Sequence, residues 1–190
     1  MKRFDFPYIL KVYRYDDSDN SYTMEYCEHT LKDYISHNNQ KMSPWARRKM
    51  AMQFLYAMNF LHRRGVCHRD LSYRNVLVHT YRGSDAFMVK VSDFGLAKEK
   101  TSDLASTGSA MKGSIEDPAL KSFKDFKPVN DIYSIGFILN YIFTGRRDLL
   151  ADGSRLGSII QKCSTTNSAD RYQTVRDIIE DMKKAECLVG

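Results

Sequence analysis

Three oxygen-bearing side chains, Asp70, Asn75 and Asp93, stand in an order that could do chemistry. A carboxylate beside a hydroxyl can take its proton. An asparagine and an aspartate offer hard oxygen ligands of the kind Mg²⁺ accepts. Asp70 and Asn75 share one short stretch, His68-Arg69-Asp70-Leu71-Ser72-Tyr73-Arg74-Asn75, so a base and a metal ligand can face the same phosphate. Asp93 is followed by Phe94 and Gly95, and the glycine lets the backbone turn directly after the ligand. Taken singly, each of these residues reads as well as a turn or cap residue. As an ordered set they suit displacement at phosphorus, where the protein's work is positioning and charge neutralisation.

The flanking pattern supplies elements to hold them. Residues 8–15 are rich in β formers, a polar cluster covers 16–21, and residues 22–27 read as a second strand, which makes a hairpin. Thr30 to Ser36 reads as a short helix. Ser43-Pro44 opens a long one, with apolar residues recurring from Ala51 through Leu61 and Gly65 as its stop. Val76–His79 and Phe87–Val91 read as strands joined by a turn at 81–85. The reactive stretch therefore falls between the long helix and a strand pair, and Asp93 directly follows the second strand. Residues 99–117 read as a Ser/Thr/Gly-rich loop. Asp131 to Thr144 is apolar nearly all round, the mark of a buried helix. Val175, Ile178, Ile179 and Met182 give an amphipathic helix near the C-terminus. The fold class expected is α+β, mainly α.

Composition sets the bounds. With 43% hydrophobic residues, the 190-residue chain can bury one sizeable core. A net charge of +6 is spread over short clusters such as Arg47-Arg48-Lys49, read as solvated helix faces, so no nucleic-acid partner is expected. The four cysteines show neither a disulfide framework nor zinc spacing, which points to a reducing, cytoplasmic setting. No apolar run is long enough for a membrane span.

Residues 68–75 and Asp93-Phe94-Gly95 resemble two protein-kinase signatures, and the resemblance extends over nearly the whole chain. It implies one partial kinase domain over 1–190, with a small-lobe hairpin and hinge in 1–27 and a helical large lobe in 28–190. ATP and Mg²⁺ are the implied cofactors and a protein hydroxyl the acceptor. Asp70 would be the base, and Asn75 and Asp93 the metal ligands. Ser72 occupies the catalytic-loop place where the family usually has lysine. His68, Phe94 and Gly95 would be structural. Met24 falls at the gatekeeper position, Glu25 and Cys27 where hinge backbone meets adenine, and Leu77 under the adenine ring. Asp131 would hold the catalytic-loop backbone. Arg171 matches the arginine before the last helix. Arg69 would pair with a phosphate on the 99–117 loop, where Thr101, Ser102, Ser106, Thr107 and Ser109 are acceptor candidates.

The chain departs from the family's pattern in three places. No Gly-rich loop, strand lysine or partner glutamate precedes residue 7, and Ser72 replaces lysine. In Gly113-Ser114-Ile115-Glu116-Asp117-Pro118-Ala119-Leu120-Lys121, Lys121 falls where a glutamate usually pairs with Arg171, leaving Glu116 or Asp117 as substitute. Ser114 favours a Ser/Thr acceptor, while Arg74 is similar to receptor tyrosine kinases. The alternative function is a weakly active or inactive kinase serving as a binding module, partnered by a small lobe or full-length kinase in trans. The hairpin, with open edges, is expected to mediate dimerisation. A small-molecule phosphotransferase shares the Asp…Asn loop but not the full motif set.

Overall fold

The computed structural model describes residues 4–16, 18–19, 21–93 and 115–186. Strands β1 (Val12–Asp16) and β2 (Ser21–Met24) form an antiparallel two-stranded sheet, with an irregularity between Val12 and Arg14. A second sheet has the order β3-β4-β5, from His29–Thr30, Val76–Thr80 and Phe87–Val91, all antiparallel. Five helices complete the described fold: α1 (Leu31–Asn38), α2 (Pro44–His62), α3 (Pro128–Thr144), α4 (Arg155–Ser164) and α5 (Val175–Glu186). The expected α+β, mainly α class holds.

Local chemistry sets the boundaries. The Ser43 hydroxyl accepts the Ala46 amide at 3.1 Å and Pro44 takes the first turn, where its missing N–H costs nothing. Thr30 caps α1 in the same way through Asp33. Gly145 ends α3 at φ 69°, a left-handed cap that glycine adopts without strain.

One core joins these parts. Phe54, Leu55, Met58 and Leu61 of α2 meet Ile132, Ile135, Ile138 and Leu139 of α3, and all are fully buried. The Gln53 side chain accepts the Val89 amide at 2.8 Å, tying α2 to β5. The N-terminal segment docks on the same body. Phe6 stacks on Phe60 at 4.2 Å between ring centroids, and Arg64 covers the Phe60 ring. Ile9 bridges Val91 in parallel, with Leu10 and Val91 amides bonded to Val91 and Tyr8 carbonyls.

Several expectations change. Residues 8–10 are not part of a hairpin strand, because the Tyr8 carbonyl and the Leu10 amide bond to Val91 of β5 instead. The second strand stops at Met24, not Cys27. Strand β3 and helix α4 were not foreseen. Arg47 does not belong to a solvated face. Its guanidinium donates to the Ile142 carbonyl at 2.6 Å and to the Asn39 backbone and side chain, closing the C-terminal end of α3. Phe94, Gly95, Ser114 and the acceptor candidates at 101–109 lie outside the described residues.

Candidate functional site

The loop from His68 to Asn75 is held from below by one carboxylate. Asp131, in the first turn of α3 and 1% exposed, accepts the His68 amide at 2.8 Å and the Arg69 amide at 3.0 Å. His62, the last residue of α2, brings Nε2 to 2.8 Å of the same carboxylate. A charge buried at the foot of an apolar helix needs such partners. Arg69 takes φ 70°, and its guanidinium lies over the Phe123 ring. His68 is fully buried, and burial pushes its imidazole below the ordinary value against the pull of Asp131. Its Nδ1 accepts the Asp70 amide at 3.4 Å.

Asn75 closes the loop. Its side-chain amide donates to the Asp70 carbonyl at 2.8 Å and to the Asp70 carboxylate at 3.1 Å. With the nitrogen so engaged, the amide oxygen is the end presented to a ligand. The Ser72 hydroxyl is buried and accepts the Arg74 and Asn75 amides at 3.3 and 3.2 Å. Ser72 is thus turned into the loop, where it shapes the turn that sets Asn75.

Asp93 arrives from the other side. Ser92, at the end of β5, gives its amide and its hydroxyl to the Asn75 carbonyl at 2.9 and 3.0 Å. The next residue, Asp93, is exposed and takes φ 58°, uncommon for a side chain larger than glycine. Asp70 and Asn75 are therefore bonded to each other, and Asp93 follows directly on the residue that is tied to Asn75. Asn75 Oδ1 and the exposed Asp93 carboxylate suit the hard-oxygen preference of Mg²⁺. Among the described residues, no cluster of three or more His, Cys, Asp or Glu forms a protein-only metal cage. Sites that use two protein oxygens and complete the shell with phosphate and water need none.

Met24, Glu25, Cys27 and Leu77, expected at a hinge and base subsite, lie at β2, its exit and β4. Met24 is 46% exposed at the end of β2. The Glu25 amide donates to the Lys11 carbonyl at 2.8 Å. Cys27 is half-buried, and burial, helped by the Glu25 carboxylate, pushes its thiol up to about 11. Leu77, on β4, is partly exposed opposite Lys90 of β5.

The segment after the loop is anchored by Arg171. This side chain is buried and grips Asp117 with both terminal nitrogens, at 2.5 and 2.8 Å. Asn130 adds a donor to Asp117 at 2.8 Å, and the Ile115 amide reaches the Leu71 carbonyl beside Asp70 at 3.4 Å. Burial raises the Asp117 carboxyl, but Arg171, the Ala119 amide and Asn130 outweigh it and hold it below the usual carboxylate range. Asp117, not Lys121, thus supplies the partner of Arg171. Neither Ser92 nor Lys90 is marked by a motif, and the helical spacing that includes His62 does not point to its contact with Asp131. Each acts through a contact made only in the fold.

Comparison with known proteins follows the same lines. A family model described as protein kinase domain matches residues 1–186. The serine/threonine-protein kinase PrkC of Bacillus subtilis is 30% identical over 92% of this chain and 28% of its own length. A probable serine/threonine-protein kinase of Clostridium perfringens is 27% identical over 93% of the chain and 29% of its own. The chain thus spans under a third of these relatives. The crystal structure of the Mycobacterium tuberculosis PknI kinase domain superposes with a TM-score of 0.71 at 21% identity, covering 96% of this chain and 74% of that one.

Proposed function

This chain belongs to the protein-kinase family, and from that premise we propose that it transfers a phosphoryl group from Mg-ATP to a serine or threonine hydroxyl of a protein. The observation that carries the reading is Asn75, whose side-chain amide donates to the main-chain carbonyl and to one carboxylate oxygen of Asp70, while its main-chain carbonyl accepts from Ser92. One residue thereby sets the distance between a base and the strand that bears the second metal ligand. Asp70 orients the acceptor hydroxyl and takes its proton. Asn75 Oδ1 and the Asp93 carboxylate would hold Mg²⁺, which supplies neutralisation of phosphate charge. Asp131 and His62 keep the loop in place, and Ser72 fixes its turn. Met24, Glu25, Cys27 and Leu77 would line the base subsite, and Arg69 would meet a loop phosphate. Phe94 and Gly95 complete the expected set. The Ser/Thr assignment follows the named relatives, and a cytoplasmic location suits the free cysteines.

Phosphotransfer from ATP to a mixed protein substrate tests this. Asp70→Ala should lower the rate by roughly 10²–10⁴-fold. Product confined to tyrosine would overturn the acceptor class. No transfer at all, with a kinase small lobe supplied as a separate chain, would overturn the activity.

A second reading, a binding module, is favoured by the hairpin surface. Tyr13, Tyr22, Met24 and Tyr26 are 52%, 51%, 46% and 76% exposed on one small sheet and its exit. Such a surface suits another sheet, from a small lobe, a full-length kinase or a second copy. Preserved biological effect after Asp93→Ala would support this reading.

A further inference from the structure

Lys90 carries a buried positive charge that the proposed chemistry does not use. Its side chain is 9% exposed on β5, and its ammonium meets a Glu25 oxygen at 2.9 Å. Its direct cross-strand partner is Leu77, and opposed residues of an antiparallel pair leave the same face of the sheet. The lysine stem therefore rises beside Leu77. The other Glu25 oxygen accepts the Lys11 amide at 3.2 Å, at the entry to β1. Three residues on, Glu28 reaches the neighbouring strand. One of its oxygens accepts the Thr80 amide at 3.0 Å and lies 3.2 Å from His79 Nδ1. Residues 25–28 are thus mounted on both β5 and β4, each time by a carboxylate. The Glu28 mount is about one-third exposed, with side chains at 29% and 32%, whereas in the other pair Lys90 is 9% and Glu25 22% exposed. An apolar side chain would fill that place without desolvating a charge, while an ion pair fixes distance and direction.

We propose that Lys90 is a positioning residue for the nucleotide base. Through Glu25 it fixes the hinge segment relative to the sheet face that carries Leu77, against which a planar base would lie. The proposal rests on the reading of Met24, Glu25, Cys27 and Leu77 as the base subsite. It adds a residue outside that set and says what fixes the set's geometry.

Calorimetric titration of the full chain with adenosine, and separately with Mg²⁺ and inorganic tripolyphosphate, divides base recognition from phosphate recognition. Lys90→Met and Glu25→Gln should each weaken adenosine binding by about tenfold, since displacement by an ångström suffices for losses of that order. Tripolyphosphate binding should stay unchanged in both. The double variant should be no weaker than either single one, because the two changes break one interaction. Lys90→Arg, which keeps the charge, should recover most of the affinity. Glu25→Gln keeps the test sharp if Lys90→Met does not fold. Unchanged adenosine affinity in the single variants, or equal weakening of both ligands, overturns the proposal and leaves the base subsite standing. A wild-type chain that binds no adenosine overturns the subsite reading itself, and this proposal with it.

Discussion

At the scale of single residues, the most exposed commitment of the fold is the buried pair of Arg171 and Asp117, with side chains 0% and 2% exposed. Arg171→Met strands a carboxylate without its cation, and should cost about 3–5 kcal/mol. Denaturant titration reads that loss, and the double change Arg171→Met with Asp117→Leu should cost less than the single one. The pair also sets a pH dependence. Asp117 has its carboxyl lowered in the folded state, so its contribution is full above the unfolded value, about 4. It fades as pH falls through the lower folded value. The stability gap between wild type and Asp117→Asn should be flat near neutrality and close under acid, and a gap constant down to pH 2–3 would contradict this. Of this pair, Arg171 was legible beforehand, and its partner was narrowed only to Glu116 or Asp117. Asp117 and Arg171 are 54 positions apart, and motif spacing put Lys121 in the glutamate's place. Asp70, Asn75 and Asp93 were legible, because their loop is local and its signature is short.

At the scale of elements, the long helices and the short α1 were readable, while β3 and α4 were not. Helix α2 announces itself through Ser43-Pro44 and its apolar spacing, and α3 through an apolar run. Strand β3 is two residues long and exists only because β4 pairs with it. Helix α4, ten residues with Gly153 just before it and Gly157 in its first turn, is held by its packing on α3. The contact is close at Gly136, where a Cβ would stand 2.5 Å from Ser164 Oγ and 2.8 Å from Cys163 Cβ. Gly136→Ala should push α4 away from α3 and cost about 1–3 kcal/mol. Thermal unfolding measures it, and an unchanged midpoint would show that α4 yields freely. Arg47 shows the limit of charge patterning: a basic cluster on an amphipathic helix looked solvated, yet one of its members closes another helix.

For the whole molecule, the hairpin is the part with least to bury. Strand β2 is exposed along its length, and β1 and β2 pair with no third strand among the described residues. Self-association through that sheet should appear as mass rising with concentration in light scattering, and Tyr13→Lys with Tyr22→Lys should abolish it. A monodisperse wild-type monomer would contradict this. The rest of the molecule is a single core that carries the Asp70–Asn75 loop and Asp93, and the central claim is that these residues bind Mg-ATP. The direct measurement is calorimetric titration of the chain with ATP, with Mg²⁺ and with a chelator, in wild type and in Asp93→Ala. The account predicts binding that needs Mg²⁺ and is lost in the variant. Binding indifferent to both metal and Asp93, or none at millimolar ATP, would contradict it.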